Sequence, residues 1–199
     1  MVEYDTCTCM QVQVMYRNPA PRSRREYGRY KIYTTGPPRS GEMMTDENVN
    51  AYWQRFLATL PPGSPYHSKS YVAEGWGDGP VMADELGALV VQGLKTATCS
   101  ALWEWEAEGN PIPGVGSITI ALDGGGQPLC ILETVEITIR KYNEVDSDFA
   151  REEGEGDLSL RYWREEHKNY FSRVLPKVDK EFSEKMPLVC ERFKVIYKQ

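Results

Sequence analysis

The residues of this sequence best suited to chemistry lie in one short segment, Gly-Leu-Lys-Thr-Ala-Thr-Cys-Ser at positions 93–100. It holds one lysine, Lys95, and three hydroxyls, on Thr96, Thr98 and Ser100. Partial desolvation would lower the pKa of Lys95, so that it could act as a general base or hold a phosphate or carbonyl oxygen. Thr98, three residues further on, could then be the activated nucleophile, or could donate a hydrogen bond. The alternative is structural: Lys95 faces the dipole of a preceding helix, and the threonines belong to a strand.

Three tryptophans could partly enclose Lys95 and stack on a base: Trp76, Trp103 and Trp105. Trp76 lies in a glycine-rich stretch, 74–79, which we expect to be a loop against the site. Large residues near a sheet are more often part of the core or its rim, so packing is the alternative for all three.

An acidic turn could supply a partner for the lysine. Its residues are Glu152, Glu153, Glu155 and Asp157. We expect most of them to form a solvated face, but one could point inward, pair with Lys95 and set its protonation.

Cysteine and histidine chemistry is less strongly indicated. Cys99 could be a nucleophile, but no histidine is near it in sequence, so a packed thiol is expected. His167 is expected at the edge of the core. Five cysteines without a repeating pattern suit a reducing compartment, and two histidines give no basis for the usual zinc spacing, so no metal or other cofactor is expected.

Two helices should precede the lysine segment. Apolar residues recur at helical spacing from Thr45 until Pro-Pro-Gly at 61–63 ends the first helix. Pro80 suits the first turn of a second helix, which Gly93 ends. The segment 63–79 between them is expected to be a loop.

A β-rich body should follow. Residues 116–122 alternate as a strand, a hairpin turn is expected at 123–126, and the long returning strand from Pro128 to Ile139 predicts a bend or bulge. Asn143 or Asp146 should open a short helix, and Asp157 should cap a helix that carries Leu158, Leu160, Trp163, His167, Tyr170 and Phe171. Residues 187–197 should be a closing strand. The pattern predicts a mixed α+β fold with a small barrel-like sheet and flanking helices.

The first 42 residues differ from the rest. They carry seven Lys or Arg and four Asp or Glu, whereas the whole chain of 199 residues has a net charge of -6. We expect residues 1–42 to be a disordered basic extension, or sequence upstream of a start at Met43 or Met44, and residues 43–199 to be the folded domain. The alternative is a nucleic-acid-binding arm built on Arg22, Arg24, Arg25 and Arg29, with Tyr27 and Tyr30 interleaved.

Overall composition limits the classes of function. A net negative charge disfavours a broad surface for non-specific duplex binding, but allows a pocket for one nucleotide or a short single strand. No apolar run is long enough for a membrane span or a secretory signal, so a soluble, cytoplasmic protein is expected.

The stretch from Glu85 to Thr98 resembles the signature of the ASCH domain family, named for its homology to activating signal cointegrator. The resemblance extends to Trp-Gly-Asp at 76–78, to 149–157, to 163–167 and to Cys-Glu-Arg-Phe at 190–193, and so covers about residues 45–197. The four segments occur in the family's order, which makes the resemblance fairly specific.

This resemblance implies a PUA-like β-barrel whose cleft floor carries the glycine-x-lysine motif of Gly93 and Lys95. It also implies RNA or modified nucleosides as partners. Some members are amidohydrolases that deacetylate N4-acetylcytidine with a lysine, a threonine and a glutamate, which fall here on Lys95, Thr98 and Glu153. Lys95 would take the proton of the Thr98 hydroxyl or of a water molecule.

Ligand-binding roles are expected for Trp76, Asp78, Gly93, Thr96 and Ser100. Ser100 stands where the amidohydrolase type often has arginine. The alternatives are a ribonuclease, as other family members have been described, and a non-catalytic RNA-binding module.

Overall fold

Six strands form a single sheet in the computed structural model, which describes residues 31–33 and 45–198. In chain order they are β1 (Lys31–Tyr33), β2 (Tyr71–Glu74), β3 (Ala97–Ala101), β4 (Ile118–Leu122), β5 (Pro128–Lys141) and β6 (Pro187–Lys198). Their order across the sheet is β1-β2-β4-β5-β6-β3, with β2 and β4 parallel and the other neighbours antiparallel. The second half of the 93–100 segment therefore lies in β3, which is an edge strand of this sheet.

Five α-helices accompany the sheet in the described part of the chain. They are α1 (Thr45–Ala58), α2 (Pro80–Gln92), α3 (Leu102–Glu108), α4 (Ser147–Glu152) and α5 (Leu160–Val174). Short 3-10 helices occupy Pro65–Ser68, Tyr142–Glu144 and Leu175–Val178. None of the helices over the described residues has the length and apolarity needed to cross a membrane.

The core has two principal parts. The apolar stripe of α1, which includes Val49, Trp53 and Phe56, packs on β2, β4 and β5. The apolar sides of α4 and α5, which include Phe149 and Phe171, pack on β3 and β6. Burial of these large side chains holds both helix layers on the sheet, at about 1.5–3 kcal/mol for each fully buried side chain. The second part of the core lies beneath the candidate site.

The mixed α+β class is confirmed, but the predicted barrel is wrong. Among the described residues the sheet is open, because β1 and β3 lie at opposite edges and do not pair with each other. Closure of a barrel requires hydrogen bonding between the first and last strands. The bulges that shift the β5–β6 register near Ile131 and Thr134 confirm the predicted irregularity, but they do not close the sheet.

Several local predictions need correction. Residues 71–74 form a strand instead of part of a loop, and α3 was not expected. Ser159, not Asp157, caps α5 by accepting from the Tyr162 amide, while Asp157 accepts from the Ser159 amide. Leu158 is exposed with φ 64° and does not belong to the apolar side of α5. The helices α1 and α2, the Asp146 cap of α4 and the closing strand are confirmed.

The predicted extension is largely outside the described residues. Of residues 1–42, the structure describes only β1, whose backbone pairs with β2. Residues 1–30 and 34–44, with Cys7, Cys9, Arg22, Arg24 and Arg25 among them, lie outside. The boundary near residue 43 stays a prediction.

Candidate functional site

A buried ion pair between Lys95 and Glu153 forms the centre of the site. The Lys95 ammonium lies 2.7 Å from Glu153 Oε2, and the two side chains are each 1% exposed. Lys95 Nζ also donates to Glu155 Oε1 at 2.7 Å and to the carbonyl of Glu153 at 3.3 Å. The three protons of the ammonium therefore have three acceptors, all from one turn after α4.

The end of α2 places the lysine. Gly93 takes the left-handed conformation with φ 76°, and the Lys95 amide donates to the Leu89 carbonyl at 3.1 Å. A left-handed residue after a helix turns the chain sharply, and glycine adopts it at little cost. Lys95 is thereby directed inward immediately before β3 begins.

The turn that carries the glutamates is held against the lysine segment by backbone contacts. The Thr96 amide donates to the Glu152 carbonyl at 2.8 Å. Gly154 has φ 75°, and a Cβ there would lie 2.5 Å from the Leu94 carbonyl oxygen. Only glycine combines this conformation with so close an approach, so Gly154 fixes the distance between Glu153 and Lys95.

Two side chains of α5 complete the surroundings of Glu153. Trp163 Nε1 donates to Glu153 Oε1 at 3.0 Å, and His167 Nε2 lies 3.5 Å from the same oxygen. The His167 ring stacks on Trp163, with centroids 4.2 Å apart, and its Nδ1 lies 2.9 Å from the Trp163 carbonyl. Because a carbonyl only accepts, Nδ1 carries a proton. With Nδ1 protonated, His167 Nε2 can donate to Glu153 only when the ring is an imidazolium, whereas the hydrogen bond from Trp163 holds the carboxylate in either form of His167.

The electrostatics of Lys95 differ from the prediction. Burial by itself would lower the pKa of Lys95, but the nearby carboxylates of Glu153 and Glu155 outweigh burial and raise it. Burial would likewise raise the pKa of Glu153, yet Lys95 and then His167 hold it below its ordinary value. The prediction of a desolvated lysine with a lowered pKa is therefore wrong. At neutral pH the pair consists of an ammonium and a carboxylate.

Cys99 is a free cysteine next to this ion pair, and its side chain is in the protonated thiol form. Burial and the Glu153 carboxylate raise the pKa of Cys99 well above its usual value, so the thiolate needed for nucleophilic attack is suppressed. The thiol, the Glu153 carboxylate and a His167 ring nitrogen all lie within 4.8 Å of one another, and these groups could ligate zinc. However, both Glu153 oxygens already accept from Lys95 and Trp163, and a cation would lie close to the ammonium. The Glu153 carboxylate thus has hydrogen-bond donors on both oxygens without a metal ion.

Strand β3 carries the hydroxyls. Thr98 pairs with Glu191 of β6 in the antiparallel ladder, and Ser100 accepts from Trp105 Nε1 at 2.8 Å. Thr98 is half-buried, and over the described residues its hydroxyl makes no hydrogen bond. The Glu191 carboxyl accepts from Thr134 Oγ1 at 2.6 Å. Thr98 therefore has hydrogen-bonding capacity left for a ligand.

Lys95, Glu153, Thr98 and Glu191 all line one cavity of about 860 Å³. A cavity of this size is typical of a small-molecule or nucleoside site. Its charged lining is mainly acidic, with six glutamates against two lysines and one arginine. These are Glu74, Glu85, Glu153, Glu155, Glu166 and Glu191, with Lys69, Lys95 and Arg173.

Of the five residues predicted to bind a ligand, two line the cavity and three lie outside it. Trp76 and Ser100 line the cavity, with Trp76 packed on Phe193 at 5.3 Å and donating to Glu74. Asp78, Gly93 and Thr96 do not line it. Asp78 accepts from Arg173 at 2.9 Å at the protein surface, Thr96 is exposed beside the glutamate turn, and Gly93 ends α2.

Sequence reasoning missed three groups of this site. Glu155 was expected on a solvated face, His167 at a core edge, and Glu191 had no assigned role. For His167 a signal was present, because it follows Trp163 by four residues and so lies on the same side of α5. Glu191 becomes evident only from the register between β3 and β6, which the sequence does not specify.

Comparisons with known proteins identify the family of this chain. A family model described as the ASCH domain matches residues 74–197. The crystal structure of an ASCH domain from Lactobacillus crispatus JV V101 is 33% identical, with a TM-score of 0.71 over 76% of this chain and 95% of that chain. A crystal structure from Enterococcus faecalis V583, of a protein assigned to a family of unknown function, is 38% identical, with a TM-score of 0.65 over 75% of this chain and 88% of that chain. None of the curated proteins compared matches the chain. The matched residues include Lys95, Thr98, Glu153 and Glu191.

Proposed function

Because this chain belongs to the ASCH domain family, we propose that its cavity binds an N-acylated nucleoside and hydrolyses the acyl amide. The observation that carries the proposal is the presence of Lys95, Thr98 and Glu153 in the wall of one cavity. These are the lysine, threonine and glutamate that the family resemblance assigns to amide hydrolysis.

The charge of the cavity favours a nucleoside over a polynucleotide. Six glutamates and only three cationic side chains would repel a run of phosphates. Carboxylates are instead good acceptors for the N–H donors on the edge of a base. Half-buried aromatic rings such as Trp76 and Trp105 offer faces on which a base can stack. A ribonuclease would need the scissile phosphate to enter this acidic lining.

Lys95 acts in this proposal as a fixed positive charge. Its raised pKa makes it a poor base, so it does not take the proton of the nucleophile. An ammonium at the cavity wall instead stabilises the oxyanion that forms when the acyl carbonyl is attacked. To reach that oxygen, Lys95 must release one acceptor. Glu155 is the one that can move, since its side chain is 26% exposed whereas that of Glu153 is 1% exposed and accepts from Trp163.

Thr98 is the proposed nucleophile. Its hydroxyl lines the cavity and makes no hydrogen bond within the described residues. The adjacent backbone supports this role: the Phe193 amide donates to the Thr96 carbonyl at 3.0 Å. In an antiparallel ladder, hydrogen-bonded and non-hydrogen-bonded residue pairs alternate. Because Thr96 and Phe193 form a hydrogen-bonded pair, Thr98 and Glu191 form the next one, and the amide of Cys99, which follows Thr98, points away from β6. That amide is available as a second donor to the oxyanion.

The test is release of acetate from N4-acetylcytidine by the purified protein. We expect turnover by the natural chain, its retention in Thr98→Ser, and its loss in Thr98→Val and Lys95→Ala. Mass spectrometry after rapid acid quench should detect an acylated Thr98. No turnover by the natural chain contradicts the proposal, and equal turnover in Thr98→Val would exclude the threonine as nucleophile.

A non-catalytic nucleoside-binding module is a second candidate, because all three protons of Lys95 are already accepted. An ion pair so complete is compatible with a purely structural role. This candidate predicts saturable binding of nucleosides by calorimetry without any product. RNA cleavage that depends on Lys95 would instead support the ribonuclease alternative.

A further inference from the structure

Glu191 is a carboxyl group in the cavity that the scheme above does not use. It lies on β6 and accepts one hydrogen bond, from Thr134 Oγ1 to its Oε1 at 2.6 Å. Over the described residues no ion pair engages it. The charged side chains next to it in the sheet, Arg192 and Glu136, bond to each other at 2.6 Å. Glu191 thus keeps an oxygen free, in the wall of a cavity already lined by five other glutamates.

The strand register brings Glu191 beside the proposed nucleophile. Thr98 and Glu191 are directly opposite each other in the β3–β6 ladder. Side chains at opposite positions of an antiparallel pair lie on the same face, with Cβ atoms about 4.5–5.5 Å apart. A hydroxyl and a carboxyl in this relation are within reach of a shared proton. Both line the cavity.

We propose that Glu191 is the proton-transfer residue of this site, taking the proton of the Thr98 hydroxyl and giving it to the nitrogen of the scissile amide. This inference rests on the proposed amide hydrolysis. It supplies the general base that an ion-paired Lys95 does not provide. It also assigns the threonine side and the lysine side of the cavity different tasks, proton transfer and oxyanion stabilisation.

The chemical steps balance with water as the only co-reactant. The Thr98 oxygen bonds to the acyl carbon as its proton passes to Glu191, and the carbon–nitrogen bond breaks as Glu191 protonates the leaving amine. Water then attacks the acyl-threonine ester and gives a proton to Glu191, which returns it to the Thr98 oxygen. The products are the free amine of the nucleoside and a carboxylic acid, and Glu191 regains its starting state.

The surroundings of Glu191 suit this task. Burial raises the pKa of Glu191, and the Thr134 hydrogen bond, which favours the carboxylate, only partly offsets burial. A carboxylate whose pKa is raised is a stronger base, which favours removal of the Thr98 proton. The acid limb of kcat/KM against pH should accordingly lie above the ordinary glutamate pKa of 4.5.

The experiment measures kcat/KM for N4-acetylcytidine from pH 4 to 9 in the full chain and two variants. Glu191→Gln keeps the shape and the Thr134 bond, and we expect it to lower kcat/KM by about 100-fold or more while nucleoside binding by calorimetry is retained. Thr134→Val removes the hydrogen bond that favours the carboxylate, and should move the acid limb to higher pH. Glu136→Gln, which removes a carboxylate of the same sheet outside the cavity, is the matched control.

The outcomes separate this inference from the proposed function. Turnover by the natural chain that persists in Glu191→Gln, with an unchanged acid limb in Thr134→Val, overturns the role of Glu191 and leaves amide hydrolysis standing. No turnover by the natural chain overturns both. A loss in Glu191→Gln with a shifted limb in Thr134→Val supports the inference, since a merely structural role would not move a pH limb.

Discussion

Replacing Lys95 by methionine tests the interaction on which the whole site depends. The substitution keeps an unbranched side chain of similar length but removes the ammonium. Glu153, whose side chain is 1% exposed, then keeps the hydrogen bond from Trp163 Nε1 but loses the positive charge 2.7 Å away. A buried carboxylate without its counter-ion is strongly disfavoured relative to water.

The expected loss is large for one side chain. Removing one partner of a buried ion pair typically costs about 3–5 kcal/mol, against a total stability of about 5–15 kcal/mol. For a chain of this size, about 1 kcal/mol corresponds to a shift of about 2–4 °C in Tm. We therefore expect Lys95→Met to lower Tm by about 6–20 °C.

The pH dependence gives the sign of the effect. The pKa of Glu153 is lowered in the folded state, so its contribution to stability is present above its ordinary value of 4.5 and is lost as the pH falls towards the folded value. The pKa of Lys95 is raised, so its contribution is present below its ordinary value of 10.5 and is lost at higher pH. The difference in stability between the natural chain and Lys95→Met should be greatest between these limits.

The assay is thermal and urea unfolding followed by circular dichroism at several pH values. Lys141→Met is the matched control, because Lys141 forms an exposed ion pair with Glu144 at 2.8 Å, and exposed ion pairs contribute little to stability. If Lys95→Met unfolds at the same temperature as Lys141→Met, then the buried pair does not stabilise the fold and the reasoning is wrong.

Three further predictions follow from the same contacts. Gly154→Ala should destabilise the chain by more than Gly63→Ala in urea unfolding, because both have positive φ but only at Gly154 would a Cβ lie within 2.5 Å of a carbonyl oxygen; equal losses would argue against the close approach. Glu155→Gln should retain or raise kcat/KM in steady-state kinetics, since Lys95 is released more easily, whereas loss of activity would contradict a mobile Glu155. EDTA should leave turnover unchanged, because the cluster of Cys99, Glu153 and His167 is satisfied by protons; activity that EDTA abolishes and Zn²⁺ restores would show a metal centre.

Local signals in the sequence were sufficient for the elements that deliver Lys95. The apolar period before Pro61 predicts α1, and Pro80 and Gly93 mark both ends of α2, because proline and glycine act through their own backbone geometry. The family resemblance adds Glu153, which is distant in sequence but ion-paired with Lys95. The helices that local residues determine, and the glutamate that the family motif includes, were therefore predicted.

The remaining features depend on contacts between distant segments. β2 has only four residues and β3 five, and both are strands because of their partners in the sheet, so their own sequences do not distinguish them from loops. The pKa of Lys95 was predicted in the wrong direction because the sequence offered one inward-facing glutamate as a partner, whereas the structure places two carboxylates, those of Glu153 and Glu155, at 2.7 Å from the ammonium. Glu191 was overlooked because its relation to Thr98 exists only in the β3–β6 register.

The contrast between Lys95 and Thr98 indicates where reactivity must arise. Lys95 and Glu153 are buried and hydrogen-bonded to each other, and Trp163 of α5 restrains Glu153. Groups in that state have little capacity to change protonation during a reaction. The Thr98 hydroxyl makes no hydrogen bond within the described residues, and the Glu191 carboxyl accepts one. These two groups can therefore exchange a proton with a ligand without first breaking several hydrogen bonds. A hydrolase needs both kinds of group, since fixed charge stabilises the transition state while a titrating group moves the proton. The cavity therefore has a rigid electrostatic side and a proton-exchanging side, and catalysis requires the substrate amide to lie between them.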